Sequence, residues 1–324
     1  MATAYDTANI IIPKSAGYKS GSLYGWNPQG GSLVDFAVTR AGATATRVNE
    51  AGLIESVAAN VPRIDWAEGG SCPSLLVEPQ RTNIFPQDLS GSGVVTRTIT
   101  VANATVYSVS VKGSGSMALS GAGTGTVSDG SPVTFTSSST SLTLTLTGSL
   151  NYCQVEAGGY ATSIIFTELV QETRNADVIQ KTGIASLLGQ SAGSIFFEVS
   201  YFSSSDANYI ALEGGSNRAL LFVSSGNITW FCRKNGSTQA IITGLSITPN
   251  TYYKIAARYA VNSFALYIDS TQQGTDTNGQ TYSGTDLNQI NFGTSESVRF
   301  YGRIRVGAVY NYALDNTELA NITT

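Results

Sequence analysis

The chain has 324 residues, of which only 12% are charged against roughly a quarter in ordinary soluble domains, and it carries a formal net charge of −4. That length exceeds one small core and predicts about two or three domains. Lysine and arginine are scattered, so there is no basic stripe to neutralise phosphates and nucleic acid is excluded as a partner. Histidine is absent, which removes Ser-His-Asp and Cys-His nucleophilic catalysis together with the usual zinc sites. Any hydrolase activity would rest on carboxylates, tyrosine or lysine.

The opening MATAYDTANIIIPKS has no charged start leading into a long apolar core. No apolar run approaches about 18 residues, so neither Sec export nor membrane insertion is expected. Cys72, Cys153 and Cys232 are odd in number and widely spaced, which predicts buried unpaired thiols made in a reducing cytoplasm. From Ala45 to Phe85 the chain alternates short apolar bursts, such as Leu75-Leu76-Val77, with Gly, Pro or a charge. Pro62, Pro73 and Pro79 fix extended backbone, so short strands joined by ordered turns are expected. Such a segment buries little by itself and is expected to order only when docked on a partner or particle, with Trp26 and Trp66 as anchors. Truncation before Phe85 is then expected to leave the rest of the chain folded.

The strings TRVN, GLIESV, VPRIDW and CPSLLVEPQRTN in this segment are similar to one that recurs in tail, fibre and minor structural proteins of bacteriophages and prophages. The resemblance implies a structural role on a virion, and leaves head or tail open.

From Phe85 onward, period-two alternation is punctuated by Gly, Ser, Asn and Asp every 8 to 12 residues or so, the pattern of sandwiches and barrels. In SLTLTLTG, Leu142, Leu144 and Leu146 fall on one face and the hydroxyls of Ser141, Thr143, Thr145 and Thr147 on the other. Residues 85 to 170 hold six charges (Asp88, Arg97, Lys112, Asp129, Glu156 and Glu168), a surface that suits burial between subunits or against glycan. The run KGSGSMALSGAGTGTVSDG, the Thr/Leu strand and QVEAGGYATSIIF resemble the small carbohydrate-binding-module-like sandwiches of phage tail proteins.

TRNADVIQKTGI, residues 173–184, is polar and without alternation, and reads as a linker. Strands follow from Ser194, including SIFFEVSYF, ITWFCRK, YYKIAARYA and SFALYIDS, with turns at Asn235-Gly236 and Ser225-Gly226-Asn227. FALYIDS with VRFYGRIRVGAVYNYALDNTEL resembles the closing strands and short helix of the concanavalin-A-like, laminin-G-like jelly-roll family. Where that family commonly has Asp-Gly, this chain has Val261-Asn262 and Asp269-Ser270, which leaves the hairpins possible and puts a family calcium or sugar site on those loops in doubt.

Carboxylates are the first candidates for chemistry, because a glycosidase needs a pair of them. Glu198 alternates with Phe196, Ser200 and Phe202 on one face of its strand, but no second acid on the strand completes a glycosidase pair, so no catalytic residue is assigned. Asp206, Asn208, Asp269, Asp276, Asn278 and Asp286 sit in predicted loops, where calcium is conceivable by family analogy and ordinary turn chemistry explains the same residues. Tyr209, Trp230, Tyr282 and Asn291 are the candidate carbohydrate-binding residues, because sugars stack on aromatic rings and their hydroxyls bond to amides. Trp230 alternates with Ile228 and Cys232, so core packing competes with stacking there.

The reading is an all-β chain with an N-terminal irregular β attachment and oligomerisation segment (1–84), a small carbohydrate-binding-module-like β-sandwich (85–172), a linker (173–184) and a concanavalin-A-like jelly roll (185–324). What the resemblances imply is a phage virion surface protein, a tail or head fibre or decoration protein made in the bacterial host cytoplasm, binding host surface glycans. It would self-associate, as a homotrimer, and meet other virion proteins through residues 1–84. A carboxylate-dependent polysaccharide depolymerase and a purely architectural protein are the rival readings.

Overall fold

The computed structural model describes residues 5–13, 18–19, 22–42, 44–66, 72–86, 94–204, 209–292 and 300–324. The chain is all-β with one short α-helix, Asn316–Ile322, and one 3-10 turn, Ala185–Leu187, among these residues. Two large sheets face each other across the main core. One runs Thr271–Asp276, Ser263–Ile268, Tyr252–Ala260, Ala192–Tyr201, Gly302–Tyr310 and then Ile10–Ile12. The other runs Phe36–Thr39, Val178–Thr182, Gln289–Asn291, Tyr209–Gly214, Asn217–Ser224, Asn227–Lys234 and Ser237–Ser246. Alternation decides which side chains face inward: Ile195, Phe197, Val199 and Tyr201 from one sheet meet Leu221, Val223, Ile228 and Trp230 from the other.

The N-terminal segment is built into this jelly roll, which corrects the expectation of an independent attachment arm. Gly302–Tyr310 pairs along one side with Ala192–Tyr201, and on the other with both Ile10–Ile12 and Ser74–Val77. Phe36–Thr39 pairs with Val178–Thr182 in the opposite sheet. The segment's apolar bursts were too short to make a core of their own, but they complete one begun by the C-terminal strands: Ile12, Phe36, Leu75 and Val77 all lie in the main cluster.

Residues 173–184 are likewise no linker. Glu172–Arg174 pairs with Arg81–Asn83, and Val178–Thr182 is held between Phe36–Thr39 and Gln289–Asn291. Their polarity disguised a strand, because Arg174 and Asp177 are satisfied inside the protein rather than by water.

The small sandwich is therefore an insertion. Its chain enters through Arg81–Asn83 and leaves through Glu172–Arg174, strands that pair antiparallel with Thr82 opposite Thr173. A four-stranded sheet (Val95–Thr100, Ser141–Thr147, Ser116–Gly121, Gly125–Ser128) packs on a three-stranded one (Val133–Thr136, Val106–Gly113, Leu150–Ala157). Its own core holds Leu142, Leu144 and Leu146, as the alternation predicts, together with Val109, Met117 and Cys153. Cys153 and Cys232 are buried and outside any disulfide, whereas Cys72 is exposed. Burial pushes the Cys153 thiol up to about 12.

A buried charge cluster sits at the neck between insertion and jelly roll. Arg63 donates to Glu78 at 2.5 Å and to Asp177, Arg40 donates to Asp177 at 2.7 Å, and Arg174 lies 3.0 Å from Glu78. Ser163 of the sandwich adds its backbone N–H and hydroxyl to Glu78, each at 2.7 Å. Burial pushes the Glu78 carboxyl up, but Arg174, Arg63 and Ser163 outweigh it and hold the group far below the ordinary carboxylate range. The strings VPRIDW, CPSLLVEPQRTN and TRNADV supply Arg63, Glu78, Arg174 and Asp177.

The C-terminal helix opens on a capping box, in which Asp315 accepts from the Glu318 N–H and the Glu318 carboxylate accepts from the Asp315 N–H. It buries Leu319 against Phe196, Ala256 and Ala308 on the outer face of the first sheet. That side of the jelly roll is covered, and the outer face of the second sheet is left to offer aromatic side chains.

Candidate functional site

The register of the second sheet sets the site. Tyr209 lies opposite Phe222, which lies opposite Thr229, while Ala211, Leu220, Phe231 and Ile241 form the adjoining row. Since Leu221, Val223, Trp230 and Ile242 point into the core, these residues point out. Tyr209 and Phe222 stack with ring centroids 5.3 Å apart and planes 14° from parallel, and Phe231 meets Phe222 edge-on at 6.3 Å. All three rings are half-buried, and Ile241 beside them is 58% exposed. The result is an apolar platform open on one side.

Polar groups border it. Glu213 accepts from Asn291 Nδ2 and from Gln289 Nε2 at 3.1 Å, and its other oxygen is 3.4 Å from Arg218. Asn291 is nearly buried, yet its Oδ1 has no hydrogen-bond partner within the chain. A buried acceptor left open in this way favours a ligand hydroxyl or amide that can donate to it. Rings for the C–H face of a sugar beside fixed amide, carboxylate and guanidinium groups make a combination suited to polyols.

Of the four candidate residues, this face brings together Tyr209 and Asn291. Trp230 and Tyr282 lie in the core instead. The Trp230 indole is fully buried, donates to the Arg258 carbonyl at 3.1 Å and stacks on Tyr259. Tyr282 donates its hydroxyl to the Arg218 carbonyl at 2.5 Å and meets Tyr259 edge-on, and its burial raises the phenol well above its ordinary value. Neither ring has a free face, so their expected stacking role is withdrawn. Phe222, Phe231, Glu213 and Arg218 were missed. Phe222 stands inside the unbroken apolar run ALLFV, where strand period alone does not tell inward from outward, whereas Phe231 falls between Trp230 and Cys232 on the face that their alternation turns outward.

Glu198 lies on the opposite, helix-bearing side of the jelly roll, 3.2 Å from Arg305, whose guanidinium covers the Tyr252 ring at 3.5 Å. It is a structural ion-pair partner there. Asp206 and Asn208 fall outside the described residues. Asp269 accepts from the Lys254 N–H, Asp276 from the Asn278 N–H and Asp286 from the Ser283 N–H, each at 2.9 Å. Asp276 and Asp286 thus fix their own turns and Asp269 ties its turn to the neighbouring strand, and among the described residues no three His, Cys, Asp or Glu side chains converge on a point. No helix among those residues is long and apolar enough to cross a membrane.

No curated protein matches the chain. Among solved structures, the CBM40 module of Ruminococcus gnavus IT-sialidase, bound to α2,3-sialyllactose, is similar at 15% identity and a TM-score of 0.37, over 44% of this chain and 91% of that one. Domain 4 of AbnA, a GH43 extracellular arabinanase of Geobacillus stearothermophilus in complex with arabinotriose, is similar at 13% identity and a TM-score of 0.38, over 51% and 81%. A native heptameric SAP-like pentraxin from Limulus polyphemus is similar at 12% identity and a TM-score of 0.35, over 42% and 70%. Residues 175–320 match the model of the concanavalin A-like lectin/glucanases superfamily, a span that opens inside the supposed linker and covers the C-terminal part of the jelly roll.

Proposed function

We propose that this chain is a bacteriophage virion-surface protein, a fibre or decoration protein, whose jelly roll binds host surface glycans without covalent chemistry. The observation that carries the glycan reading is the stacked Tyr209–Phe222 pair, open on the outer face beside Phe231, with the unpartnered Asn291 Oδ1 among the polar groups at its border. Lectin/glucanase ancestry of residues 175–320 supports it. The virion half rests on the strings TRVN, VPRIDW and CPSLLVEPQRTN and on the charge-poor sandwich. Exposed Leu53, Val94, Leu169 and Val170 supply apolar surface for sister chains in a homotrimer or for other virion proteins. Single contacts with a glycan would be weak, and copies arrayed on a particle would make them effective.

Probing a glycan array with the full-length chain tests the binding half, and gold-labelled antibody against residues 175–320 on phage particles tests the location. Array signal that falls in a Phe222→Ala chain, with label on the virion surface, is the expected result. A silent array removes glycan binding, and unlabelled particles from a phage encoding the chain remove the virion role.

A further inference from the structure

Where the N-terminal segment, the inserted sandwich and the jelly roll meet, they enclose a cleft of about 560 Å³, separate from the aromatic platform. Trp66 and Ile54 line it from the first, Val111 and Pro132 from the second, Phe202 and Arg303 from the third. Its volume falls within the range of roughly 300–1,000 Å³ typical of small-molecule sites, and a junction between domains is a usual place for one. Trp66 lines the cleft half-buried, and its backbone N–H donates to the Val48 carbonyl at 2.9 Å.

The charges in the wall decide the class of ligand. Arg47 is matched to Glu55 at 2.7 Å, Lys112 to Asp129 at 2.7 Å, and Arg303 to Asp65 at 3.2 Å, with the Arg303 guanidinium also over the Phe202 ring at 5.1 Å. Each lining cation therefore has its carboxylate, and an anionic ligand would have to displace one. Two wall residues keep a buried polar atom without a hydrogen-bond partner, Ser110 at Oγ and Arg303 at Nε. An indole, a balanced set of ion pairs and unsatisfied hydroxyl and N–H groups suit a neutral polyhydroxylated molecule. We propose that this cleft is a second carbohydrate site, taking a short neutral oligosaccharide with a sugar ring against Trp66.

Calorimetric titration of the full chain with maltotriose, cellotriose, chitotriose, lactose and, as the acidic control, sialyllactose tests this. At least one neutral sugar should bind the Phe222→Ala chain as tightly as wild type, weaken about tenfold or more in Trp66→Ala, and recover in part in Trp66→Phe. Hydroxyl-radical footprinting of the unaltered chain gives a second measurement that does not depend on the variants folding, and should find Trp66 protected by the same sugar. The proposal is overturned if no neutral sugar of the set binds, if Trp66 stays unprotected, if Trp66→Ala folds and binds unchanged, or if sialyllactose alone depends on Trp66. Loss of every sugar in a folded Phe222→Ala chain would assign all binding to the platform and overturn it equally.

Discussion

Arg40 and Asp177 are 137 residues apart in sequence and joined by a 2.7 Å hydrogen bond between fully buried side chains. Asp177 also receives Arg63 and the backbone N–H of Glu78, so one carboxylate ties the N-terminal segment to the strand that follows the insertion. Arg40, Arg63 and Glu78 of the N-terminal segment are thus part of a staple inside the chain, which explains how a segment without a core of its own becomes ordered.

Removing one partner from this cluster leaves the others buried and uncompensated, which costs about 3–5 kcal/mol. Glu78→Gln and Asp177→Asn should each lower stability on that scale, measured by urea unfolding followed by circular dichroism. A loss below about 1 kcal/mol would place the cluster among weak surface-like pairs.

Acid should act through the same group. The folded-state value of Glu78 is depressed, so its contribution is fully present above the ordinary carboxylate value of 4.5 and is lost as pH falls below it. Glu156 runs the other way, because burial raises its value and its neutral form suits the fold. With two guanidiniums on Glu78, its effect should dominate. Thermal melts of wild type between neutral pH and pH 3 or so should fall more steeply than those of Glu78→Gln.

Truncation before Phe85 should unfold the jelly roll. It removes two strands paired to Gly302–Tyr310, one paired to Val178–Thr182, and nine residues of the main core between Ile10 and Val77. The expectation from sequence was the reverse. Soluble, cooperatively folding protein from residues 85–324 would restore it, as judged by proton NMR dispersion.

The hairpin at Asp269-Ser270 holds both residues at positive φ, 46° and 66°, where the family commonly has glycine second. Ser270→Gly relieves a left-handed strain of about 1–2 kcal/mol and costs part of that in unfolded-chain entropy, for a net gain of about 0.5–1 kcal/mol. A higher midpoint in thermal unfolding is the expected sign.

What could be read in the sequence was whatever strand period controls. The Leu142, Leu144, Leu146 face, the Asn235-Gly236 turn with φ of 50° and 80°, and the closing strand and helix all follow from local pattern. The insertion was not readable, because the pairing of Thr82 with Thr173 joins two short polar strands that carry no alternation. Nor was the linker's true role, since Arg174 and Asp177 look solvated until their partners from residues 40 to 78 are in place. The core position of Trp230 is legible in the sequence, since its alternation with Ile228 and Cys232 points inward and outweighs the ring's suitability for stacking.

The central claim is that Tyr209, Phe222 and Phe231 form a glycan-binding surface. Surface plasmon resonance of the full chain over immobilised host surface polysaccharide tests it most directly, comparing wild type with Phe222→Ala and with Glu198→Gln as a control on the covered face. The account predicts binding by wild type and Glu198→Gln and a loss of about tenfold or more in Phe222→Ala, provided thermal melts show the variant folded. Equal binding by all three chains would contradict it.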